Sequence, residues 1–428
     1  MIKKMLKRIF ASHFLRSSSI FFIGAIVGSI FNYLFAMSMG RMMGPTNYGV
    51  LVALFSLMAL ITIPTGVVAT VAIRFTAAFK TRNEIGKIQS LFYLLSKNIF
   101  YIALAVAVIL AAAAGPINKF LNIPSRLPTI LLGVAIIFMF LIAVTRGILQ
   151  GLQKFTQLSL NISIDPFIKL LLGLTLVYFG LNVNGALLAL IVAVAAAYYL
   201  SFVALKNMSF NFRREQAQID TAAIKSYFKD VFWAFLILTL FVNIDIILVK
   251  HFLSAEQAGY YGALSTMGKI VMFISLPITG VMFPMVTGLY EKGEKHWRLL
   301  FGSLGLIMIL GLAVIAFYFA FPQFAVKALF GSQYLSVARF LPLFGLAILL
   351  YSLSYAFVNY FLSIKKRLFL WPLTLIALLE PVLIWLYHDS FLTIIKILIL
   401  VFGLTLAALV MLYILSKKPQ LSQLLSKS

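Results

Sequence analysis

Asp165-Pro166-Phe167-Ile168-Lys169 lies inside the apolar run 157–179, and an acid followed by proline returns at Glu380-Pro381, 215 positions on in a chain of 428 residues. An ionised group at bilayer depth costs about 3 kcal/mol or more unless it faces a partner or a hydrated cavity. Proline at the next position removes a backbone donor and frees a carbonyl, creating a polar kink that can line a cavity or act as a hinge, so Pro166 and Pro381 are the candidate hinges. Paired interruptions at corresponding places in two halves mark membrane transporters built from repeats.

The surrounding composition fits that reading. Hydrophobic residues make up 63% of the chain and charged residues 11%, with a mean hydropathy of +1.05; a soluble protein carries roughly a quarter charged residues. Twelve apolar runs are long enough to cross the hydrocarbon core, near 17–38, 49–73, 91–114, 128–146, 157–179, 184–205, 229–250, 264–288, 299–320, 337–361, 368–387 and 391–415. In a soluble chain the net charge of +24 would point to nucleic acid. Here 25 of the 35 Lys and Arg fall in or beside alternate connections and six on the other side, with Lys97, Lys169, Lys269 and Lys396 inside spans. That is the positive-inside signature, which places both termini in the cytoplasm and makes anionic membrane lipid, not nucleic acid, the partner of the surplus charge.

The expected layout is a basic segment 1–16, a six-helix bundle 17–206, a cytoplasmic linker 207–228, a second six-helix bundle 229–415 and a tail 416–428. In the first segment Ile2, Leu6, Ile9, Phe10 and Phe14 recur at helical spacing opposite the lysines, as in an interfacial helix; a frayed basic tail is the other reading. No connection is long enough for a soluble domain. The two halves match in order at an offset near 210 residues. Gly44-Pro45-Thr46-Asn47-Tyr48-Gly49 leads into a span with Ile63-Pro64-Thr65-Gly66, and Ser254-Ala255-Glu256-Gln257-Ala258-Gly259-Tyr260 into one with Leu276-Pro277-Ile278-Thr279-Gly280. Arg146 to Phe155 corresponds to Val358 to Lys366, and acid-proline follows both. Six spans per half make the repeat parallel, about an axis along the membrane normal.

Several polar groups within the spans are candidate site residues. Asp165 and Lys169, four apart with the acid first, share a helical face and are expected either to pair or to serve transport. Glu380 has no such neighbour and is the better candidate for a carboxylate that binds a coupling proton or Na+, or that pairs with a lysine of another helix. Asp245 sits about five residues from the outer end of its span, with function or a plain interfacial acid as the alternatives. Asn32 either mirrors it in the first half or makes an interhelical hydrogen bond. Lys97, Lys269 and Lys396, within about two turns of span ends, either snorkel or line a cavity. Arg146 either contacts a headgroup or diphosphate or serves as a positive-inside anchor. Gly24/Gly28 and Gly147/Gly151 have the spacing for close helix packing.

The segments Gly40-Arg41-Met42-Met43-Gly44-Pro45-Thr46-Asn47-Tyr48-Gly49, Arg146-Gly147-Ile148-Leu149-Gln150-Gly151-Leu152-Gln153-Lys154-Phe155, and Asn243-Ile244-Asp245-Ile246-Ile247-Leu248 with Ala258-Gly259-Tyr260-Tyr261 resemble the polysaccharide-flippase branch of the multidrug/oligosaccharidyl-lipid/polysaccharide exporter superfamily. The resemblance implies an all-α polytopic membrane protein, two pseudo-symmetric bundles set in a V around a central cavity, and flipping of a polyprenyl-diphosphate-linked oligosaccharide across the cytoplasmic membrane by alternating access. In that picture Lys97, Arg146, Lys169, Lys269 and Asn32 line the substrate route, while Asp165, Asp245 and Glu380 tune it or bind a coupling ion. The chain would act as a monomer, beside a glycan polymerase and glycosyltransferases of the same pathway.

Other classes fit less well. The absence of cysteine removes disulfides and thiolate chemistry, and no G-x-x-x-x-G-K-[ST] pattern supports an ATP-driven pump. His13, His251, His296 and His388 are scattered without metal-ligand spacing, so no cofactor or metal is expected. A cation-coupled drug antiporter of the same superfamily and a membrane-embedded glycan polymerase remain as alternatives. Basic residues in the bundle favour an anionic cargo.

Overall fold

A computed structural model describes residues 13–206, 232–364, 366 and 368–415, apart from the side chains of 13–22, Pro284 and Glu291. The expected interfacial helix at 1–16, for the most part, and the linker 207–228 and tail 416–428 entirely lie outside the described residues. The described residues are helical, with no strand. They form α1 (His13–Ile61), α2 (Ile63–Thr81), α3 (Ile85–Ala112), α4 (Ala114–Phe120), α5 (Leu127–Gly151), α6 (Phe155–Tyr178) and α7 (Asn182–Lys206). The second half has α8 (Phe232–Phe241), α9 (Ile244–Phe252), α10 (Ala255–Gly268), α11 (Ile270–Glu291), α12 (Trp297–Ala320), α13 (Pro322–Leu329), a 3₁₀ turn (Ser332–Phe340), α14 (Leu341–Ser363), α15 (Leu370–Leu386) and α16 (Phe391–Leu415).

Ten of the helical stretches are long and apolar enough to span a membrane; α8 with α9 forms a further span bent by 43°, and α15, at 17 residues, is a shorter apolar helix. The boundaries follow local chemistry. Gly44, at φ 70° and ψ 172°, interrupts α1, a conformation open to glycine because it has no Cβ. The expected second span, 49–73, therefore runs from Pro45 to Thr81, with one break at Thr62. Pro64 lacks the amide that would reach the Leu60 carbonyl, and the Thr62 amide and hydroxyl both donate to the Met58 carbonyl at 2.8 Å. The corresponding span of the other half breaks at Lys269, which is both the last cap of α10 and the first of α11. Between α8 and α9 the Asn243 amide donates to the Thr239 carbonyl at 2.8 Å, satisfying a carbonyl that the break exposes.

Pro166 and Pro381 lie inside continuous helices, α6 and α15. The observed breaks are at Gly44, Thr62, 242–243 and Lys269, not at the acid-proline pairs.

The chain divides into two compact units, Met1–Leu236 and Ile237–Ser428. In the first unit α5 packs against α2, α3 and α7; in the second α14 packs against α11, α12 and α16. These are the fourth span of each half, and each is largely buried. The short helices α4 and α13 precede them at matching places, so the repeat seen in the sequence recurs in the elements.

Glycine decides how closely helices approach in the first unit. A Cβ on Gly24 would lie 2.0 Å from Ser159 Oγ and one on Gly28 2.8 Å from the Ile162 carbonyl oxygen of α6. That carbonyl is the one Pro166 deprives of its helical donor, and the Gly28 backbone covers it. Gly147 and Gly151 meet Ala69, Ala72, Ile73 and Thr76 of α2 in the same way.

Candidate functional site

Each unit holds a polar cluster within its helices. In the first, Arg146 near the end of α5 reaches α6. Its Nε donates to Asn161 Oδ1 at 2.7 Å, and its Nη2 donates to the Asn161 carbonyl at 3.0 Å and to Asp165 Oδ2 at 3.1 Å. The Asn161 amide donates in turn to the Ala197 carbonyl of α7 at 2.6 Å. One guanidinium thus ties three helices together, with side-chain exposures of 23% for Arg146 and 17% for Asp165.

This corrects the expected pairing of Asp165 with Lys169: the acid's ion-pair partner is Arg146. Lys169 instead donates to the Asn32 amide oxygen and lies 4.9 Å above the Phe35 ring. Asn32 is exposed and Lys169 half-buried, so this cation sits at an open face of its unit. Asn32 therefore does make an interhelical hydrogen bond, between α1 and α6.

In the second unit Asp245 stands in the first turn of α9, where the broken span presents a helix N-terminus. Unpaired amides there, that of Ile246 among them, favour a negative charge. Asp245 is only 3% exposed, which rules out the plain interfacial acid. Tyr261 of α10 donates its hydroxyl to Asp245 Oδ2 at 2.7 Å; Oδ1 has no partner. Glu380 of α15 is fully buried, with both carboxylate oxygens unpartnered among the described residues, within electrostatic range of Asp245. Lys269, at the α10–α11 break, is close enough for its charge to act on Asp245. The buried Tyr351 ring completes the surroundings, its hydroxyl donating to the Leu238 carbonyl at 3.1 Å.

Two carboxylates with so few donors need a proton or a small cation to be stable at this depth. Among the described residues no three His, Cys, Asp or Glu come together. A Na+ would have to complete its shell from hydroxyl and carbonyl oxygens, whereas a proton needs only the pair.

Lys97 joins neither cluster. It is exposed, 6.0 Å from the Tyr93 ring on its own helix. Lys97 lies about 18 Å along α3 from Ile85, since the helix begins six residues ahead of the expected span 91–114. Sequence reasoning passed over Asn161 and Tyr261. Asn161 precedes Asp165 by one helical turn on the same face, a usable signal; Tyr261 stood inside a quoted motif without a role.

The chain is a multi-pass membrane protein with the fold of the multidrug/oligosaccharidyl-lipid/polysaccharide exporter superfamily. It belongs to the family described as polysaccharide biosynthesis protein, whose model matches residues 38–339. Among solved structures it is similar to an inward-facing multidrug resistance MATE family transporter, with a TM-score of 0.73 at 13% identity over 90% of this chain and 96% of the other. It is also similar to the eukaryotic MATE transporter AtDTX14, at 0.71 and 13% over 94% and 97%, and to the lipid II flippase MurJ in an inward closed conformation, at 0.69 and 14% over 93% and 87%. No curated protein matches the chain in sequence.

Proposed function

We propose that this protein flips a polyprenyl-diphosphate-linked oligosaccharide across the cytoplasmic membrane by alternating access, supplying surface polysaccharide synthesis. The observation that carries the reading is membership of a polysaccharide biosynthesis family by a chain built almost wholly of apolar helices. Apolar helices throughout the described residues favour a part in the pathway that moves the lipid-linked intermediate over one that synthesises it. A glycan polymerase and glycosyltransferases would act before and after it.

Roles for the site residues follow from their placement. Lys169, with Asn32 beside it at an open face, is suited to a diphosphate as a flexible point charge. Lys97 adds a second exposed cation at depth. Arg146 and Asp165 are tied to each other and serve as a staple between helices, leaving little of either for cargo. Asp245 and Glu380, with Lys269 at their edge, form the coupling site, taking up a proton as the bundles rock and releasing it on the other side. Pro166 and Pro381 would soften α6 and α15 beside these groups.

The test is transport by the full-length protein in proteoliposomes, using a fluorescent lipid-linked sugar and an imposed proton gradient. Gradient-dependent flipping is expected, and Glu380→Gln should abolish the dependence on the gradient while the protein still folds. Export of organic cations without movement of the lipid-linked sugar would replace this reading with the antiporter.

A further inference from the structure

A slot of about 460 Å³ opens between α11 and α12. Its walls are Pro277, Ile278, Val281 and Met285 on one helix and Leu299, Gly302, Ser303 and Leu306 on the other, with Arg298 at one end. Arg298, in the first turn of α12, follows the connection that carries Lys292, Glu294 and Lys295, all exposed, on the side that the charge asymmetry assigns to the cytoplasm. Exposed Tyr290 and Trp297 flank the same end, as aromatic residues do at the headgroup level. Among the described residues no carboxylate pairs with Arg298, whose guanidinium lies 5.5 Å over the Trp297 ring.

From Arg298 the slot runs to Leu306, about 12 Å up the helix into the apolar layer. A cation at headgroup depth above an open apolar groove matches a ligand with a phosphate head and a long hydrocarbon tail. Glycine shapes the channel: a Cβ on Gly302 would meet nothing within 4 Å, so the space over it is open.

We infer that this slot docks the prenyl chain of the lipid-linked substrate from the inner leaflet, with Arg298 holding its phosphate before transfer into the transport route. The inference rests on the flippase reading and adds a loading site separate from both polar clusters. Arg298 suits this role because its fork meets phosphate oxygens in a fixed geometry.

The experiment measures binding of undecaprenyl phosphate to the purified full-length protein by native mass spectrometry, with competition by phosphatidylglycerol, alongside the flipping assay. Arg298→Ala should weaken binding about tenfold, with Arg298→Lys recovering part of it. Gly302→Leu, which has room to fold, should fill the slot and weaken binding at least tenfold while leaving a soluble sugar diphosphate unaffected. Equal competition by phosphatidylglycerol, or unchanged binding in both Arg298→Ala and Gly302→Leu, overturns the loading site. If the wild type binds the prenyl lipid in this way yet flips no lipid-linked sugar, the slot stands and the flippase reading falls.

Discussion

Replacing Arg146 with Met removes three hydrogen bonds at once and leaves Asp165 and the Asn161 amide oxygen without their donors. Breaking a buried ion pair from one side costs about 3–5 kcal/mol, and each orphaned buried acceptor about 1–3. Since both partners keep some exposure, 23% and 17%, the lower end applies, about 3 kcal/mol. Asp165→Asn should cost less, about 1–2 kcal/mol, because Arg146 keeps both of its bonds to Asn161. The double variant Arg146→Met, Asp165→Asn removes the orphaned charge and should recover about 1–2 kcal/mol relative to the sum of the single changes. Thermal unfolding of the purified protein in detergent, run as a double-mutant cycle, reads this coupling directly. Strictly additive losses would falsify the staple between α5 and α6. A staple also predicts that flipping per folded molecule survives in the double variant.

Further outcomes follow from the same geometry. Gly151→Val should lower stability by about 3 kcal/mol, since its Cβ would lie 2.6 Å from Thr76 Cβ and 2.8 Å from the Ile73 carbonyl; Gly302→Ala, with open space around it, should be neutral in the same melt. Lys169→Met should raise the KM for lipid-linked sugar at least tenfold, the value of a charge-assisted bond to phosphate of about 1.5–3 kcal/mol, and leave the melting temperature nearly unchanged; a melting loss with KM intact would make Lys169 a packing residue. His296, just before α12, bonds Tyr360 at 2.9 Å, and its burial together with the Lys366 charge holds the imidazole below its usual 6.5. The unfolded chain then binds the proton more readily, so stability is full above pH 6.5 and falls as pH drops through that value; His296→Gln should flatten the slope in detergent melts between pH 5 and 7.

Much of the architecture was legible because lipid imposes it. A span must be apolar over about 20 residues, and lysines and arginines stay on one side, so the twelve runs and the two halves could be counted from composition alone. Glycine pairs at four-residue spacing foretold close helix packing at Gly24/Gly28 and Gly147/Gly151, since a missing Cβ permits such approach, but not which helices they meet. The partners of the polar groups were not legible. Asp165 and Lys169 share a helical face by spacing, yet an arginine nineteen positions earlier reaches the acid first, because α5 and α6 cross there. The break before Asp245 carries no proline, and its junction with Glu380 brings together residues 135 positions apart.

The sequence by itself determined that the chain crosses the membrane about a dozen times in two similar halves, since hydrophobic length and charge asymmetry are local properties of the chain. Only the tertiary structure decided which ionisable groups meet a neighbour of opposite charge and which are buried with few donors. That depends on the rotation of each helix about its axis, and in a span that is apolar all round no periodicity records it.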